Sequence, residues 1–409
     1  MTAAIDTFVE EARAVSVTEA AGILGYVMTR AEFAGPCPVC GGKDRFSIST
    51  KQAWNCRQCG RGGRDGIGLI AHARGHDLSS RTGFLTACSE ALQREIPAEG
   101  ERETEEQRAE RLAAIEDRRR RNAEAAARAS NDFREKAIAK GRGIFFNARM
   151  VVGGERTAAG EYLRLRTGFD MPDAVWANIR FDPQHSYWRN RKDDRGHHPC
   201  LHVGPAMIAP FVDVDFRVTG CHETWIDLSR EPKFRPVILD DGEALPTKKM
   251  QGVKKGSLIP LFGLMSSTRW VGGEGIENGL AIAGAEGFRA DTFYFAAGDL
   301  GNLAGPAEPA SGFPHPTLTT TDKRGRMRAA RVQGPEPKQG VDPAELLQLP
   351  EHVTSVVLIA DGDSEFVFTA SAMARAEKRL SREGRHIVTI WPPAETDFAA
   401  CMAARTDRG

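Results

Sequence analysis

The chain has 409 residues, of which 41% are hydrophobic and 27% are charged. This length predicts two or three domains, and the composition excludes wholesale disorder and is typical of a globular protein. No run of about eighteen apolar residues occurs, and the acidic N-terminus lacks the layout of a signal peptide. We therefore expect a cytoplasmic protein with no membrane partner.

The charges cancel, because 55 Lys and Arg residues balance 55 Asp and Glu residues. The net charge thus gives no support for extensive non-specific binding to nucleic acid, and any such binding must come from local basic patches. Half of the cysteines form two close pairs, which in a reducing compartment indicates metal ligation. The scattered ones are typical of small buried residues: Cys88, Cys200, Cys221 and Cys401.

In chain order, four segments follow one another. Residues 1–95 form a compact Gly- and Cys-rich unit that opens with a helical stretch at 15–29. Residues 96–142 are rich in Ala, Glu and Arg and predict a charged helical linker, on the order of 60 Å long. Its basic cluster at 118–121 can touch phosphate but is more typical of a solvated face.

The second half of the chain is predicted to contain two domains that combine helices and strands. Residues 143–265 carry short strand patterns, at 206–212 and 236–239, and predict an α+β domain. Residues 266–405 alternate strand, acidic loop and helix, which predicts an α/β domain with a parallel sheet. This domain is interrupted by a Gly/Pro-rich insertion at 301–350 in which we expect a mobile loop. The insertion contains a basic cluster made of Lys323, Arg324, Arg326, Arg328 and Arg331.

The N-terminal unit contains two Cys-x-x-Cys pairs, Cys37 with Cys40 and Cys56 with Cys59, separated by fifteen residues. Each pair can direct two thiolates at one ion, and four thiolates complete a closed tetrahedral structural Zn²⁺ site. Redox-active or merely buried cysteines are the alternative. A closed site would fold the module and would not perform hydrolysis.

The sequence around the cysteines indicates a particular family more specifically than the cysteine spacing alone. The stretch CPVCGGKDRFSIS, the strand containing Trp54, and GRGGRDGIGLI resemble the zinc-binding domain of phage and plasmid primases and primase-helicases. The resemblance implies a ribbon that recognises single-stranded template. It places Lys43, Arg45 and Phe46 on the strand after the first pair, where they would bind nucleic acid. The alternatives are ribbon core for Phe46 and Trp54, and solvation for the two cations.

Acidic residues follow two of the predicted strands in the C-terminal domain. Glu274 comes directly after WVGG, and Asp361 and Asp363 come after SVVLIA. The carboxyl ends of parallel strands lie at one rim of a sheet, where active sites of open α/β folds occur. Several carboxylates at that rim suit Mg²⁺, which keeps waters and accepts substrate phosphates.

Found in this order, these acids resemble the Toprim domain shared by primases, topoisomerases and certain nucleases. The resemblance covers roughly residues 266–405 and implies that Glu274, Asp361 and Asp363 are catalytic residues that bind Mg²⁺ or Mn²⁺. Asp397, in the loop after the last strand, would be a fourth acidic member. Helix capping is the alternative for these acids, and Glu277 fits the first turn of a helix.

The central region resembles a primase core through YLRLR at 162–166, IRFD at 179–182 and VTGCH at 218–222. Primase cores place basic residues just upstream of Toprim, which implies that Lys248 and Lys249 are catalytic and oppose the acids. Lys254 and Lys255 are further candidates, with surface solvation as the alternative for each lysine. His222 either contacts a nucleotide or is structural.

These features together predict a DNA primase of the phage or plasmid type, with zinc ribbon, helical linker, α+β core and Toprim domain. It would synthesise short RNA primers from nucleoside triphosphates on a single-stranded DNA template. No GxxxxGK[ST] motif occurs, so unwinding would need a separate replicative helicase. Two other functions stay open: a Toprim-type metal-dependent nuclease, which would use the same acids with water, and a non-catalytic single-stranded DNA-binding protein.

Overall fold

The computed structural model describes residues 3–28, 32–97, 104–151, 157–193, 195–321 and 325–406. Lys323 and Arg324 of the basic insertion lie outside these residues. The chain forms two compact units, residues 1–135 and 136–409. The boundary falls inside one 43-residue helix, Glu105–Asn147. Within the described ranges, no helix is both long enough and apolar enough to cross a membrane.

The first unit packs helices against a small antiparallel sheet. The four strands of this sheet pair in sequence order. In chain order the elements are α1 (Ala3–Arg13), α2 (Val17–Ile23), β1 (Glu32–Cys37), β2 (Gly41–Ser49), β3 (Ala53–Cys56), β4 (Arg61–Gly63), α3 (Gly66–Arg74), α4 (Arg81–Leu92) and α5 (Glu105–Asn147).

Local chemistry explains where these helices begin and end. Ser16 and Glu19 form a reciprocal capping box at the start of α2. This helix is shorter than the predicted 15–29 helix, because it ends before Gly25, whose φ of 79° lies in the left-handed region. Asp65 caps α3 by accepting a hydrogen bond from the amide of Gly68.

The second unit contains two five-stranded sheets. Its elements are β5 (Arg149–Met150), α6 (Ala158–Thr167), α7 (Asp173–Trp176), β6 (Arg180–Trp188), β7 (Cys200–Val212), β8 (Val218–Trp225), β9 (Ile238–Asp240), β10 (Glu243–Leu245), β11 (Lys248–Gly252), β12 (Ile259–Phe262), β13 (Arg269–Gly273), α8 (Ile276–Ala285), β14 (Thr292–Ala296), α9 (Leu300–Ala304), β15 (Phe313–Thr321), β16 (Met327–Val332), β17 (Ser355–Ile359), α10 (Phe366–Leu380), β18 (His386–Ile390) and α11 (Phe398–Thr406).

The first of these sheets is antiparallel, in the order β11-β8-β7-β6-β5. The second has the order β12-β14-β13-β17-β18. In it β14, β13, β17 and β18 run parallel and β12 is antiparallel to β14. One hydrophobic cluster takes side chains from both sheets, including Phe211, Leu261 and Val271.

The described parts of the insertion are folded and attached to α10. The antiparallel pair β15 and β16 forms a ribbon. Arg375 donates to the carbonyl oxygens of Gly305 and Gly334, and Arg379 donates to those of Leu303, Ala304 and Leu347. Buried Arg375 and half-buried Arg379 thus satisfy backbone acceptors that irregular chain would otherwise leave unpaired.

Candidate zinc centre and acidic active site

The structure brings the four predicted zinc ligands together. Cys37 ends β1, Cys56 ends β3, and Cys40 and Cys59 lie in the turns that follow. The sulfur atoms of Cys37 and Cys59 are 3.8 Å apart, and those of Cys40 and Cys56 are 3.6 Å apart. Four thiolates at about 2.3 Å from one Zn²⁺ have sulfur separations of about 3.8 Å, so this donor set fits zinc.

Backbone amides support the same thiolates. The amide of Val39 donates to the sulfur of Cys37 at 3.4 Å, and the amide of Cys59 donates to that of Cys56 at 3.4 Å. Such bonds offset the negative charge of a tetrathiolate site.

A histidine that the sequence analysis missed also reaches the cysteines. Nε2 of His72, on α3, lies 3.3 Å from the sulfur of Cys37. The imidazole is buried and stacks on Trp54, with ring centroids 5.0 Å apart. Burial, and then the charge of Arg61, lower the pKa of His72. No spacing rule connects Cys37 to a residue this far along the chain, so only the fold shows the contact.

The predicted nucleic-acid residues of the ribbon separate into two groups. Lys43 and Arg45 are exposed on β2. The prediction that Phe46 binds nucleic acid is wrong, because its side chain is fully buried and contacts Tyr26, Phe33 and Trp54. Phe46 belongs to the ribbon core and cannot stack on a base.

The predicted acids of the second unit lie around one cavity of about 350 Å³, here called the acidic cavity. Glu274 follows β13 and Asp361 follows β17 by two residues, and these strands are parallel neighbours. The cavity is lined by Glu274, Asp361, Asp363 and Asp397 among others. The four acidic residues therefore share one rim of the parallel sheet.

Gly362 allows the fourth acid to approach. A Cβ at this position would lie 2.5 Å from the carbonyl oxygen of Thr396 and 2.7 Å from the ring of Pro392. The amide of Glu395 donates to the carbonyl of Gly362 at 3.0 Å. A larger residue between the two aspartates would push the loop before Asp397 away from the rim.

The acids repel one another. Burial and the charge of Asp361 raise the pKa of Glu274 to about 7. Burial, Asp363 and Asp397 raise the pKa of Asp361 to about 6. Asn278 opposes this effect, since its Nδ2 donates to Asp361 at 2.7 Å. A cation would relieve the repulsion.

Lys248 lines the acidic cavity, and its partner there is Glu277. Its Nζ lies 2.7 Å from a carboxylate oxygen of Glu277, and Tyr162 donates to the same carboxylate at 2.6 Å. Burial alone would raise the pKa of Glu277, but the charge and hydrogen bond of Lys248 hold it well below its usual range. The first-turn position predicted for Glu277 in α8 is observed.

The prediction that Lys249 opposes the acids is wrong. Successive residues of β11 point to opposite faces, so Lys248 and Met250 line the acidic cavity while Lys249 and Gln251 line another, of about 610 Å³. Nζ of Lys249 lies 3.5 Å from the ring centroid of Tyr187 and donates to the carbonyl of Trp188.

Three other cationic residues, missed in the sequence, line the acidic cavity: Arg166, Lys233 and Arg235. Arg166 pairs with Asp397 at 3.4 Å and donates to the carbonyl of Pro232. Arg166 lies on α6, and Lys233 and Arg235 lie in the segment between β8 and β9. No local sequence pattern predicts contacts between residues so far apart in the chain.

The remaining candidates have different surroundings. His222 lines the acidic cavity but is buried, and burial and the charge of Lys248 lower its pKa to about 3, so it is neutral there. Lys254 pairs with Asp299, and Lys255 pairs with Glu345 at 3.1 Å.

The donor sets of the two sites differ. In the described part of the chain, the four cysteines are the one group of three or more His, Cys, Asp and Glu side chains whose ligand atoms lie close enough together to hold a metal ion, all within 4.8 Å of one another. The acids of the rim are more widely spaced. Carboxylates spread around a polar cavity fit Mg²⁺, which retains several waters and is bound through few protein ligands.

Comparison with known proteins supports the interpretation of the ribbon. Residues 33–67, which include all four cysteines, match the family described as the zinc-binding domain of primase-helicase. Residues 135–261 match a family described as Domain of unknown function (DUF7146). Residues 33–67 are therefore similar to the zinc-binding domains of primase-helicases.

Two solved structures show similarity at low identity. A crystal structure of a DNA primase domain from Pseudomonas aeruginosa is 13% identical, with a TM-score of 0.35, over 66% of this chain and 74% of that chain. A structure of the DnaG primase catalytic domain bound to ssDNA is 14% identical, with a TM-score of 0.37, over 68% of this chain and 82% of that chain.

Proposed function

We propose that this protein is a DNA primase that synthesises short RNA primers on single-stranded DNA by Mg²⁺-dependent nucleotidyl transfer at a Toprim-type rim. The observation that carries the proposal is the acidic cavity, where acids at the ends of neighbouring parallel strands meet the cations Arg166, Lys233, Arg235 and Lys248. An acidic rim of this kind could serve either synthesis or cleavage of nucleic acid, and the match of residues 33–67 to the zinc-binding domain of primase-helicase favours primer synthesis.

Glu274, Asp361 and Asp363 would hold the divalent cation, with Asp397 as a fourth acid. When bound, Mg²⁺ neutralises phosphate charge and lowers the pKa of a coordinated hydroxyl. Mn²⁺ suits the same oxygen donors.

The cations of the cavity offset the repulsion between the carboxylates and the phosphates of a nucleotide. Carboxylates alone would exclude a nucleoside triphosphate, so positive side chains facing them are needed to bind its phosphates. Arg166 is suited to this task because its guanidinium presents a planar fork of donors. Lys248 is fixed by Glu277 and offers a point charge at a defined position.

Template selection would fall to the zinc-binding unit. Lys43 and Arg45 are exposed on β2 and can contact phosphates of a single strand. Unwinding would come from a separate replicative helicase, and the expected host element is a phage or plasmid.

The test combines the protein with single-stranded DNA, labelled ribonucleotides and Mg²⁺ or Mn²⁺. We expect short labelled products from the wild type and none from Asp361→Asn, which keeps the size of the side chain and removes its charge. Asp291→Asn is the matched control, because Asp291 pairs with Arg289 and does not line the acidic cavity. Its products should equal those of the wild type.

Other products would identify another function. Cleavage of the template without synthesis, lost in Asp361→Asn, would favour the metal-dependent nuclease. Binding of the strand with neither reaction would favour a non-catalytic single-stranded DNA-binding protein. Either result would overturn the proposed primase.

A further inference from the structure

The ribbon of β15 and β16 concentrates positive charge in a chain whose net charge is zero. Residues 313–332 contain five Lys and Arg residues and one acidic residue, Asp322. Among those that the structure describes, Arg326, Arg328 and Arg331 are exposed. A local excess of this kind is the electrostatic footprint of a phosphate-binding surface.

The outer part of the ribbon is open to solvent on both faces. Residues 316–321 and 325–329 are all exposed, and neighbouring residues of a strand point to opposite faces. Met327 is 73% exposed and Leu318 is 43% exposed. These described residues therefore do not contribute to a core at this end, and their exposed surface can meet a phosphate backbone.

The base of the ribbon is fixed next to the acidic cavity. Nε2 of His315 lies 2.9 Å from a carboxylate oxygen of Glu365. Glu365 caps α10 and lies two residues after Asp363. Asp299 lines the acidic cavity and also a cavity of about 650 Å³ that Arg331 lines.

A second set of contacts fixes the chain just after β16. Ser371 donates to the carbonyl of Gln333, and Arg375 donates to that of Gly334, both at 2.6 Å. Bonds from charged donors to buried acceptors are among the stronger ones. The ribbon thus begins and ends at fixed points beside the rim, and its basic outer part extends from there.

The side chains of the ribbon suit a phosphate backbone better than bases. Residues 314–332 contain no Phe, Tyr or Trp, whereas proteins that bind single strands commonly use aromatic side chains on which bases stack. Arginine guanidinium and threonine hydroxyl groups are typical donors to phosphate and sugar. Thr317, Thr319, Thr320 and Thr321 supply such hydroxyls on β15.

We infer that this ribbon binds the phosphate backbone of double-stranded nucleic acid at the rim, which for the proposed primase is the duplex of primer and template. The inference rests on the proposed function for the identity of that duplex. The ribbon holds the duplex through charge, without reading its sequence, so binding is independent of sequence and sensitive to salt.

The experiment measures binding of the full chain to a short RNA–DNA duplex and to single-stranded DNA of the same length, by fluorescence anisotropy over a range of salt concentrations. Each lost phosphate contact lowers the salt slope by roughly one. We expect Arg326→Gln combined with Arg328→Gln to lower the slope on the duplex by roughly two and to leave the slope on the single strand unchanged.

The control variant combines Lys378→Gln with Arg382→Gln. It removes the same net charge from α10 and the segment directly after it, where Lys378 pairs with Glu336 and Arg382 pairs with Glu351. We expect the wild-type slope on both nucleic acids.

An unchanged slope on the duplex in the ribbon variant would overturn the inference, as would a loss confined to the single strand or equal losses in ribbon and control variants. A wild type that binds no duplex would also overturn it. Since the readout is binding, it does not depend on synthesis. A protein that binds duplex through the ribbon but makes no primers would refute the proposed primase and leave the ribbon's binding role in place.

Discussion

Nε2 of His72 lies 3.3 Å from the sulfur of Cys37, so α3 is attached directly to the cysteine cluster. The ring packs against both Trp54 and Phe46, with centroids 5.0 and 5.8 Å away. A nitrogen that faces a metal-bound thiolate stabilises it by donating its proton. We therefore expect zinc binding and the packing of α3 against the sheet to depend on each other.

Replacing His72 by Phe should weaken zinc binding roughly 10- to 100-fold, since the ring and its stacking remain while the donor is lost. The measurement is competition with a chromophoric zinc chelator at fixed pH. His76→Phe is the control, because His76 contacts Glu90 and not a cysteine. Equal affinity in the His72 variant and the wild type would show that this hydrogen bond does not support the metal.

Removing a ligand should have a larger effect. Cys40→Ser leaves three thiolates, so we expect the wild type to retain one zinc per chain and the variant to lose it during dialysis against a chelator. Emission from Trp54, which packs beside the cluster, should change on zinc loss. Cys200→Ser, an exposed position outside the cluster, serves as the control. Metal analysis that finds equal zinc in all three proteins would refute the site.

Adjacent Lys248 and Lys249 should respond differently to substitution. Lys248→Met leaves the Glu277 carboxylate, which is 5% exposed, without its cation, and removing one partner of a buried pair costs about 3 kcal/mol. Lys249→Met loses a contact with the Tyr187 ring, worth about 1 kcal/mol. Urea denaturation measures both values.

The double variant Lys248→Met with Glu277→Gln checks the cause. It removes both charges, so it should be more stable than Lys248→Met alone. Equal losses for Lys248→Met and Lys249→Met would contradict the different surroundings of the two side chains.

Some of these features were predictable because their patterns are local. Two Cys-x-x-Cys pairs and acids placed directly after apolar strands depend on short spacings, and the fold brings these residues together. The period of two in a strand also predicts that Lys248 and Lys249 point to opposite faces. The prediction that both lysines oppose the acids did not take this alternation into account.

The rest depends on tertiary structure. Arg166, Lys233 and Arg235 reach the acidic cavity from segments separated from the acids, and His72 reaches Cys37 in the same way. Phe46 shows that a local pattern can also mislead, since an aromatic residue directly after Arg45 suits both a base-stacking surface and a core. Its burial follows from the packing of Tyr26, Phe33 and Trp54 around it.

Asn278 should act as a positioning residue for Asp361. Its Nδ2 donates to Asp361 at 2.7 Å and its Oδ1 accepts from the amide of Ala399 at 3.0 Å. In Asn278→Leu the carboxylate loses its orienting donor, so we expect the Mg²⁺ concentration for half-maximal synthesis to rise roughly 10- to 100-fold. A lower rate at saturating Mg²⁺, with unchanged metal dependence, would contradict this role.

Arg379 should determine the stability of the insertion. Its guanidinium donates to the carbonyls of Leu303 and Leu347, each at 2.7 Å, and to that of Ala304 at 3.2 Å. Burial, together with Arg375, lowers the pKa of Arg379 to about 10, which leaves it charged at neutral pH. Arg379→Met would leave these acceptors unpaired, at a cost of roughly 3 kcal/mol.

Hydrogen exchange in Arg379→Met should accelerate over residues 300–306 and 345–349. In Arg382→Met, an exposed position paired with Glu351, protection should stay at the wild-type level, since exposed ion pairs contribute little. Equal protection in Arg379→Met and the wild type would show that other contacts hold the insertion on α10.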